Sequence, residues 1–514
     1  MSNTHSLKLF QLIHSLSSQE KRFISLKYAK IQEDESKYYL LFNTIVQMQE
    51  LDEQELQKRI YGDEKVKGAK FSELKNYCYN MIISTLQEYD KEGFVDFKLR
   101  RLVMNIRSLY KRALYDDCRR LIKKIRKIAE DYEQLDILLD LLRWEKQIAY
   151  ALGDINFLND KLNELEEVEL SLLEKIRNVH YYKNMFYRVH TTIRKYRLLD
   201  NTEIKAILED VSHSRMFESQ ERALTFSAKV IYLRTLSLLS YVEKDNELFY
   251  QNSKELIALM QSRPWILKED ISEFISANSN FVIACMSTHR SKETLQALEN
   301  FNSIQPKTSD DKLKIHRQYY QGIFEYYHNT GEFELGYKAL QKHLVEKKQY
   351  DKEAFNSQGF YYAYFYMAFG SGHFKEALGY LNDWLNSAHT VDRQDLQALA
   401  QLLNLIIHFE LKNKVLMASL LRSASRYLKK RKKVSVFEKE ILKFIGKATT
   451  TSDKKVLGKL GKKICQTLET VVREPEHSNF TQYFDFISWI ESQTSERNFA
   501  EIVQQRFIEN QNKR

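Results

Sequence analysis

Glycine and lysine residues near position 65 come closest to the spacing of a phosphate-binding loop. Gly62 and Gly68 stand one residue too far apart for that motif, and Ala69 separates the second glycine from Lys70. A buried strand should also precede such a loop, since the strand aims the backbone amides at the phosphates. No strand pattern precedes Gly62. The segment therefore predicts a polar connection and no nucleotide site.

Side chains that could bind a metal or transfer a proton are scattered along the chain. No two of the 13 histidines lie three or four residues apart, the spacing that places two ligands on one helix face. Asp310 and Asp311 follow Ser309 at the start of a predicted helix, where acidic side chains cap the amides and favour the helix dipole. We therefore expect no catalytic, cofactor-binding or metal-binding residue, and a protein that is not an enzyme.

Positive charge is the strongest chemical feature of the sequence. Residues 412–463 hold 17 lysine and arginine residues against 3 acidic ones, a local charge of +14 in a chain whose total is +10. Such a segment could neutralise phosphates or an acidic protein surface. Solvated lysines at helix ends explain it equally well, because the helix dipole favours them there. The candidate basic patch consists of Lys429, Lys430, Arg431, Lys432, Lys433, Lys454, Lys455, Lys459, Lys462 and Lys463.

An earlier basic stripe has a simpler interpretation. Arg120, Lys123, Lys124 and Lys127 share one face of a predicted helix, opposite a row of apolar side chains. No aromatic residues interleave with them, as they would in a platform for single-stranded nucleic acid. The stripe therefore predicts the solvent-facing side of an amphipathic helix.

Composition indicates which elements position these side chains. Only 14 glycines and 3 prolines occur among 514 residues, so the chain has few of the residues that strands and tight turns require. Hydrophobic residues make up 43% of the chain, including 29 Phe and 31 Tyr, which is enough for a continuous core. Since globular cores rarely grow beyond about 300 residues, we expect long helices arranged as an elongated repeat array.

Short connections between helices recur at a fixed interval. A turn residue, a bulky residue two positions later and a small residue three positions after that repeat every 41 residues. The small residue lets the two helices of a hairpin approach closely, and the bulky residue fills the space between them. The repeated triads are Gly331, Phe333 and Gly336, then Gly372, Phe374 and Ala377, then Asn413, Val415 and Ala418.

Other positions extend this period along the chain. Pro264, Pro306 and Pro475 fall at predicted helix ends, where a residue without an amide proton is tolerated. One helical hairpin is therefore expected per interval of 39 to 47 residues. Weaker copies of the turn lie at Ala113, Gly153, Asp200, Asp245 and Arg290, with another near Ser452.

The pattern resembles the tetratricopeptide repeat, most clearly over residues 310–430. Tyr320 and Tyr361 add an aromatic early in the first helix. The interval exceeds the ~34 residues of that family, and Phe324 and Phe365 stand where the family has a small residue. The resemblance implies an all-α fold, namely a right-handed α-solenoid of stacked antiparallel helical hairpins with helices longer than those of the family.

In the tetratricopeptide family, the first helix of each hairpin lines a concave surface. In this chain Tyr362, Tyr366 and Phe369, spaced by four and three, lie on a second face beside the core stripe. They could hold a partner segment or fill a tight contact between repeats, and the sequence leaves both open. The predicted partner-binding groove consists of Gln321, Glu325, His328, Tyr362, Tyr366, Phe369, Leu403 and Ile407.

Residues 1–95 do not share the period and predict a separate N-terminal helical module. Ser17 and Glu20 have the spacing of a capping box. A polar loop from Gly62 to Lys70 joins two predicted helices, which raises the alternative of a helix-turn-helix DNA reader. That loop is longer than the 3 to 4 residues usual in the motif, and the following helix is apolar, so a cap for the repeat array is favoured.

Three domains and an intracellular setting are expected. The N-terminal module covers 1–95, the repeat array 96–475, and C-terminal capping helices 476–514. The four cysteines are isolated among apolar neighbours, as in a reducing compartment. No apolar run is long enough for a signal peptide or a membrane span, so a cytoplasmic protein is expected.

Surface binding is the function that these features favour. The leading hypothesis is a non-enzymatic scaffold or adaptor that holds another protein or a peptide segment in the groove. The alternative is nucleic-acid or ribonucleoprotein binding through residues 412–463. A regulator that uses the N-terminal module as a helix-turn-helix is a more distant third.

Overall fold

The structure is a computed structural model that describes most of the chain. Within the described residues every regular element is a helix, which confirms the all-α class. The described residues are 2–29, 37–62, 68–90, 93–195, 201–350, 352–355, 358–386, 394–430, 436–451, 453–471 and 484–512.

Twenty-five α-helices fall within these ranges. The first twelve are α1 (Ser2–Ser15), α2 (Ser18–Ala29), α3 (Lys37–Gln47), α4 (Glu53–Tyr61), α5 (Gly68–Tyr89), α6 (Val95–Tyr110), α7 (Tyr115–Asp131), α8 (Leu135–Leu152), α9 (Ile155–Lys195), α10 (Asn201–Ser212), α11 (Phe226–Glu243) and α12 (Asn246–Gln261). The others are α13 (Pro264–Leu267), α14 (Ile271–Ser287), α15 (Ser291–Ser303), α16 (Ser309–Thr330), α17 (Phe333–Glu346), α18 (Gln358–Gly370), α19 (Phe374–Asn386), α20 (Gln394–Glu410), α21 (Lys414–Lys430), α22 (Val436–Thr450), α23 (Lys454–Val471), α24 (Phe486–Thr494) and α25 (Phe499–Asn512).

The helices gather into two compact units. Unit 1 contains residues 1–284 and 304–312, and unit 2 contains residues 285–303 and 313–514. The three domains expected from the sequence, with boundaries near 95 and 475, stay a prediction. Position 475 lies outside the described residues.

Within each unit, contacts run mainly between helices that are neighbours in the chain. In unit 1, α6 packs on α7, α7 on α8, α8 on α9, and α11 on α12. In unit 2, α17 packs on α18, α18 on α19, α20 on α21, α22 on α23, and α24 on α25. These helices therefore pack on chain neighbours, whereas α1, α2 and α3 pack on α5 and α9 packs on α11. The right-handed solenoid arrangement stays a prediction.

The turns predicted near residues 331, 372 and 413 are confirmed. Each falls between two helices, namely α16 and α17, α18 and α19, and α20 and α21. The small residues Gly336 and Ala377 are buried just after their turns. Val415 departs from the pattern, because it is 93% exposed where Phe333 is buried.

Most of these turns share one backbone arrangement. A residue with positive φ follows the first helix, and the next amide donates to the carbonyl five residues earlier, as from Asp154 to Ala149 at 3.0 Å. That bond satisfies a carbonyl that the helix end leaves unpaired. The turns predicted at Asp200 and near Ser452 lie outside the described residues. Positive φ occurs at Ala113, Gly153, Lys244, His289, Gly331, Gly372 and Lys412.

Helix starts follow the capping patterns of the sequence. Ser17 and Glu20 form the predicted capping box, with Glu20 accepting from the Ser17 amide at 2.6 Å and the Glu20 amide donating to Ser17 Oγ at 3.2 Å. The capping role of Asp311 is also confirmed, although its partner is Thr308, whose amide donates to Asp311 at 2.8 Å. Pro264 occupies the first turn of α13, where its missing amide proton costs nothing.

The helices α1 to α5 surround a core that contains one buried charge. Leu9, Ile45 and Ile82 are among its fully buried side chains. Lys75 is 1% exposed, and its Nζ lies 2.6 Å from Glu53 Oε1 and 2.6 Å from Ser6 Oγ. Because a buried ammonium needs both a countercharge and hydrogen-bond acceptors, this pair fixes how α1, α4 and α5 pack.

Candidate functional site

The eight side chains predicted to line a partner groove divide into two classes. Tyr366, Phe369, Leu403 and Ile407 are buried, Gln321 and Glu325 are exposed, and His328 and Tyr362 are half-buried. A partner cannot reach the four buried side chains, so the expectation of an exposed aromatic row is corrected at these positions. Binding through the exposed members stays a prediction.

The chain's own C-terminal residues cover the aromatic row. The ring of Phe484 lies 5.5 Å from that of Tyr366 and 5.2 Å from that of Phe369. Phe499, the first residue of α25, stacks on Phe333 at 5.5 Å and on Phe484 at 5.6 Å. Aromatic side chains that bury this much area dominate the packing energy of a helical core. The row is therefore core because Phe484, which precedes α24, and Phe499 of α25 supply its other wall.

Helix α25 also binds the turns of unit 2. Gln504 Nε2 donates to the carbonyl of Gly331 at 3.0 Å, and Gln511 Nε2 donates to Ser291 Oγ at 2.7 Å. Gly331 has φ +76°, and a Cβ there would stand 2.8 Å from the amide nitrogen of Gln504. Only glycine allows both the turn and this close approach.

Replacing Gly331 by alanine should therefore loosen α25. The left-handed backbone costs a non-glycine residue about 1 to 2 kcal/mol, and the Cβ must also push back the Gln504 backbone. Gly372 is a matched control, because its φ is +79° and nothing lies within 4 Å of its Cβ position. Thermal unfolding and limited proteolysis of both variants measure the difference. Equal effects of the two substitutions would contradict the packing of α25 on this turn.

The basic segment is exposed over its described part. Helices α22 and α23 pack on each other, and no acidic side chain of the described residues pairs with their outward-facing lysines except Glu440, which lies 3.4 Å from Lys443. Of the predicted patch, the side chains of Lys429, Lys430 and Lys454 and the whole of residues 431–433 lie outside what the structure describes. The exposed lysines of the two helices, called here the basic surface, are Lys439, Lys443, Lys447, Lys455, Lys459, Lys462 and Lys463.

Apolar side chains are exposed on the same stretch of chain. Val436 at the start of α22 is 48% exposed and Val456 near the start of α23 is 42% exposed. In α21, Val415 is 93% exposed and Leu416 is 50% exposed. Such side chains among positive charges suit a partner that offers both carboxylates and apolar groups.

Arginines of unit 1 behave differently. Arg119 pairs with Asp154 at 2.9 Å, and Arg126 pairs with Glu145 at 2.6 Å. Arg120 belongs to the stripe predicted to be the solvent-facing side of a helix. Its side chain is 79% exposed and pairs with Asp117 at 2.5 Å. These charges are locally compensated, whereas those of the basic surface are mostly not.

Unit 2 also contains a buried polar network. His343 Nδ1 lies 3.0 Å from Nε2 of His316, and His343 Nε2 lies 2.5 Å from the hydroxyl of Tyr364. Tyr320 donates to Glu346 at 2.7 Å. Burial, together with the neighbouring His316 and Lys347, lowers the pKa of His343 to about 3. A neutral His343 can accept from Tyr364 and donate to His316, so the network joins α16, α17 and α18 without an exposed reactive group.

A cleft of about 360 Å³ lies beside the turn between α18 and α19. Its walls include Phe369, Phe374 and Phe499, and its polar groups include Glu334 and Glu410. Trp489 Nε1 and Gln493 Nε2 donate to Glu410 Oε1 at 2.7 Å and 2.8 Å. Neither the cleft nor the histidine network has a spacing that sequence reasoning could detect, because their members come from distant helices.

Neither a cluster of metal ligands nor a membrane-spanning helix occurs among the described residues. In the described part of the chain, no three His, Cys, Asp or Glu side chains gather in a way that could hold a metal ion. None of the helices described there is both long and apolar enough to cross a bilayer.

Comparison with known proteins adds no relative. No protein-family model matches the chain, and no curated protein matches it. The likeness to tetratricopeptide repeats thus rests on the turn triads, the 41-residue interval and the aromatics Tyr320 and Tyr361.

Proposed function

We propose that this chain is a non-enzymatic helical-repeat scaffold, similar to tetratricopeptide proteins, that binds an acidic segment of another protein. Binding would occur on the basic surface of α22 and α23 and on α21, which packs on α22. The segment predicted to be the most basic of the chain thus replaces the aromatic row, which the C-terminal helices cover, as the main partner site.

One observation carries this proposal. The lysines of the basic surface are exposed and, Lys443 excepted, have no acidic partner in the described residues. A cluster of like charges opposes compact folding through self-repulsion, and a bound anionic partner relieves that repulsion. Arg119, Arg120 and Arg126 of unit 1, by contrast, each pair with an acidic side chain.

Exposed apolar residues favour a protein partner over nucleic acid. Val415, Leu416 and Val456 would gain from contact with apolar side chains of a peptide, whereas a phosphodiester backbone offers them nothing. The described surface of α22 and α23 also has no exposed large aromatic residue on which bases could stack. Nucleic acid is therefore the competing outcome of the test.

Charge reversal on α23 should weaken the binding of an acidic peptide and leave the fold intact. Lys455, Lys459 and Lys463 changed to glutamate should weaken binding of a synthetic glutamate–leucine peptide by at least about tenfold. Each of these exposed charges contributes less than ~1 kcal/mol to stability. The matched control reverses Lys123, Lys124 and Lys127, exposed on α7, and should change the affinity by less than about twofold.

The ligand series separates the two kinds of partner. A glutamate–leucine peptide, a glutamate-only peptide and a single-stranded oligonucleotide are titrated at several salt concentrations. Changing Val415 and Val456 to serine should lower the affinity for the glutamate–leucine peptide and leave the affinities for the other two ligands unchanged. The protein could instead prefer the oligonucleotide, lose affinity steeply at high salt and be unaffected by the valine substitutions. That result would replace the proposal by nucleic-acid binding. If none of the ligands binds, the basic surface is only a solvated helix face and the proposal is wrong.

The four cysteine thiols support a proposed cytoplasmic location. Cys78, Cys118, Cys285 and Cys465 are buried and are not joined in disulfides. Burial raises the pKa of Cys78 to about 12, so its thiol is unreactive. Buried thiols without bridges are usual in a reducing compartment.

A further inference from the structure

The cleft beside the turn of α18 and α19 has aromatic walls. Phe369 and Phe499 are buried, and Phe374 is half-buried. Phe369 contacts Phe374 at 5.3 Å and Phe499 at 5.6 Å between ring centroids, so the three rings are held as one group. At about 360 Å³ the cleft is near the lower limit of small-ligand sites, which suits one side chain and excludes a helix.

Two carboxylates supply the polar groups of this cleft. Glu410 is half-buried, and both of its hydrogen-bond donors, Trp489 and Gln493, are neutral and share the oxygen Oε1. Glu334 is exposed in the first turn of α17, and no basic side chain of the described residues pairs with it. None of the residues that line the cleft is a lysine, arginine or histidine.

Burial has a measurable effect on the inner carboxylate. It raises the pKa of Glu410, while the hydrogen bonds from Trp489 and Gln493 and the charge of Lys412 oppose that rise. A cation in the cleft would compensate the charge that burial penalises. It would also reach Glu410 Oε2, which accepts no hydrogen bond from the described residues.

We propose that this cleft binds a protonated alkylamine or a guanidinium group between Glu410, Glu334 and the rings of Phe369, Phe374 and Phe499. Carboxylates give charge-assisted hydrogen bonds, and aromatic faces attract cations through their quadrupole. An anion is excluded by the charge of the walls. A neutral apolar ligand would not offset the free-energy cost of burying the charged carboxylate of Glu410.

This site is independent of the basic surface, because the two have opposite charge and different residues. The same cationic chemistry could come from a lysine or arginine side chain of a partner protein or from a free small amine. Small probes and a peptide therefore form separate arms of the test. The small probes are butylamine and agmatine, and the peptide is a blocked Gly-Gly-Arg-Gly-Gly.

The indole of Trp489 provides a direct readout. Its N–H donates to Glu410 at 2.7 Å, so a cation at Glu410 should shift the Trp489 indole resonance in a nitrogen-15 correlation spectrum. Titration of the full-length chain with each probe is expected to give saturable shifts. The neutral analogue 1-butanol should give none.

Isosteric variants identify the binding group. Glu410→Gln keeps an oxygen that can accept from Trp489 and removes the charge. It should lower the affinity for each cationic probe by about tenfold or more. Glu334→Gln should lower these affinities less, because the carboxylate of Glu334 is exposed. The control Glu496→Gln removes a nearby exposed charge that does not line the cleft, and it should leave the affinity unchanged.

Each outcome decides the proposal. Tighter binding of the peptide than of agmatine assigns the cleft to a partner's side chain, and the reverse order assigns it to a free amine. Equal shifts with 1-butanol, or full binding by Glu410→Gln in a variant whose thermal unfolding is unchanged, would overturn the proposal. Loss of binding in the control Glu496→Gln would also overturn it, since only general electrostatics would then be at work.

Discussion

Replacing Lys75 by alanine is expected to lower the free energy of unfolding by about 3 to 5 kcal/mol. The side chain is 1% exposed and its Nζ lies 2.6 Å from Glu53 Oε1. It also lies 4.6 Å from the centre of the Phe71 ring. Removing the ammonium leaves Ser6 and Glu53 without their cationic partner and opens a cavity between helices. Urea unfolding followed by circular dichroism measures the change.

Two further substitutions test the cause. Lys27→Ala breaks an exposed pair with Glu88, whose side chains are 33% and 44% exposed, and should cost less than about 1 kcal/mol. Lys75→Met keeps most of the volume and removes the charge, so it should cost less than Lys75→Ala. If Lys27→Ala and Lys75→Ala were equally mild, the buried ion pair would not stabilise the core of α1 to α5.

Acid should destabilise the protein through the histidine network. Burial and, to a smaller extent, His316 and Lys347 lower the pKa of His343 from 6.5 to about 3. The unfolded chain therefore binds a proton at this residue that the folded chain excludes. Stability is therefore full above pH 6.5 and falls as the pH drops toward 3, by up to about 1.4 kcal/mol for each pH unit. The pKa of His316 is also lowered by burial, although Glu346 opposes the shift, and it adds to the same trend.

A pair of glutamine variants isolates this contribution from that of the carboxylates. His343→Gln retains a donor and an acceptor for His316 and Tyr364 but cannot be protonated, so the loss of melting temperature between pH 7 and 4 should shrink. His180→Gln changes an exposed histidine and should leave the pH dependence as it is. A wild-type pH dependence in His343→Gln would show that this residue is not the group that acid protonates.

Local features of the sequence were enough for the helices and many of their ends. The scarcity of glycine and proline predicts helix throughout, and the Ser17–Glu20 spacing predicts a capping box that the structure contains. Turns at Gly331 and Gly372 follow from glycine's freedom at positive φ. At Lys244, His289 and Lys412 the same backbone is adopted without glycine, so the sequence signal there is weak although the hydrogen bonding is the same.

Charge on the basic surface was also accessible from the sequence. Lys455, Lys459 and Lys462 fall on one face of an amphipathic helix, and the opposite face, with Leu457 and Ile464, is buried. Helical periodicity decides which side chains of one helix point outward. It cannot decide whether a second apolar face is free.

Only the tertiary structure decided the fate of the aromatic row. Tyr366 and Phe369 have the spacing of an exposed groove, yet Phe484 and Phe499, more than 100 residues later, bury them. The cleft at Glu410 and the pair of His316 with His343 likewise join residues from different helices. The sequence by itself determined helix, turn and local charge, because these depend on near neighbours. Burial and the sites that burial creates depend on which distant helices pack together.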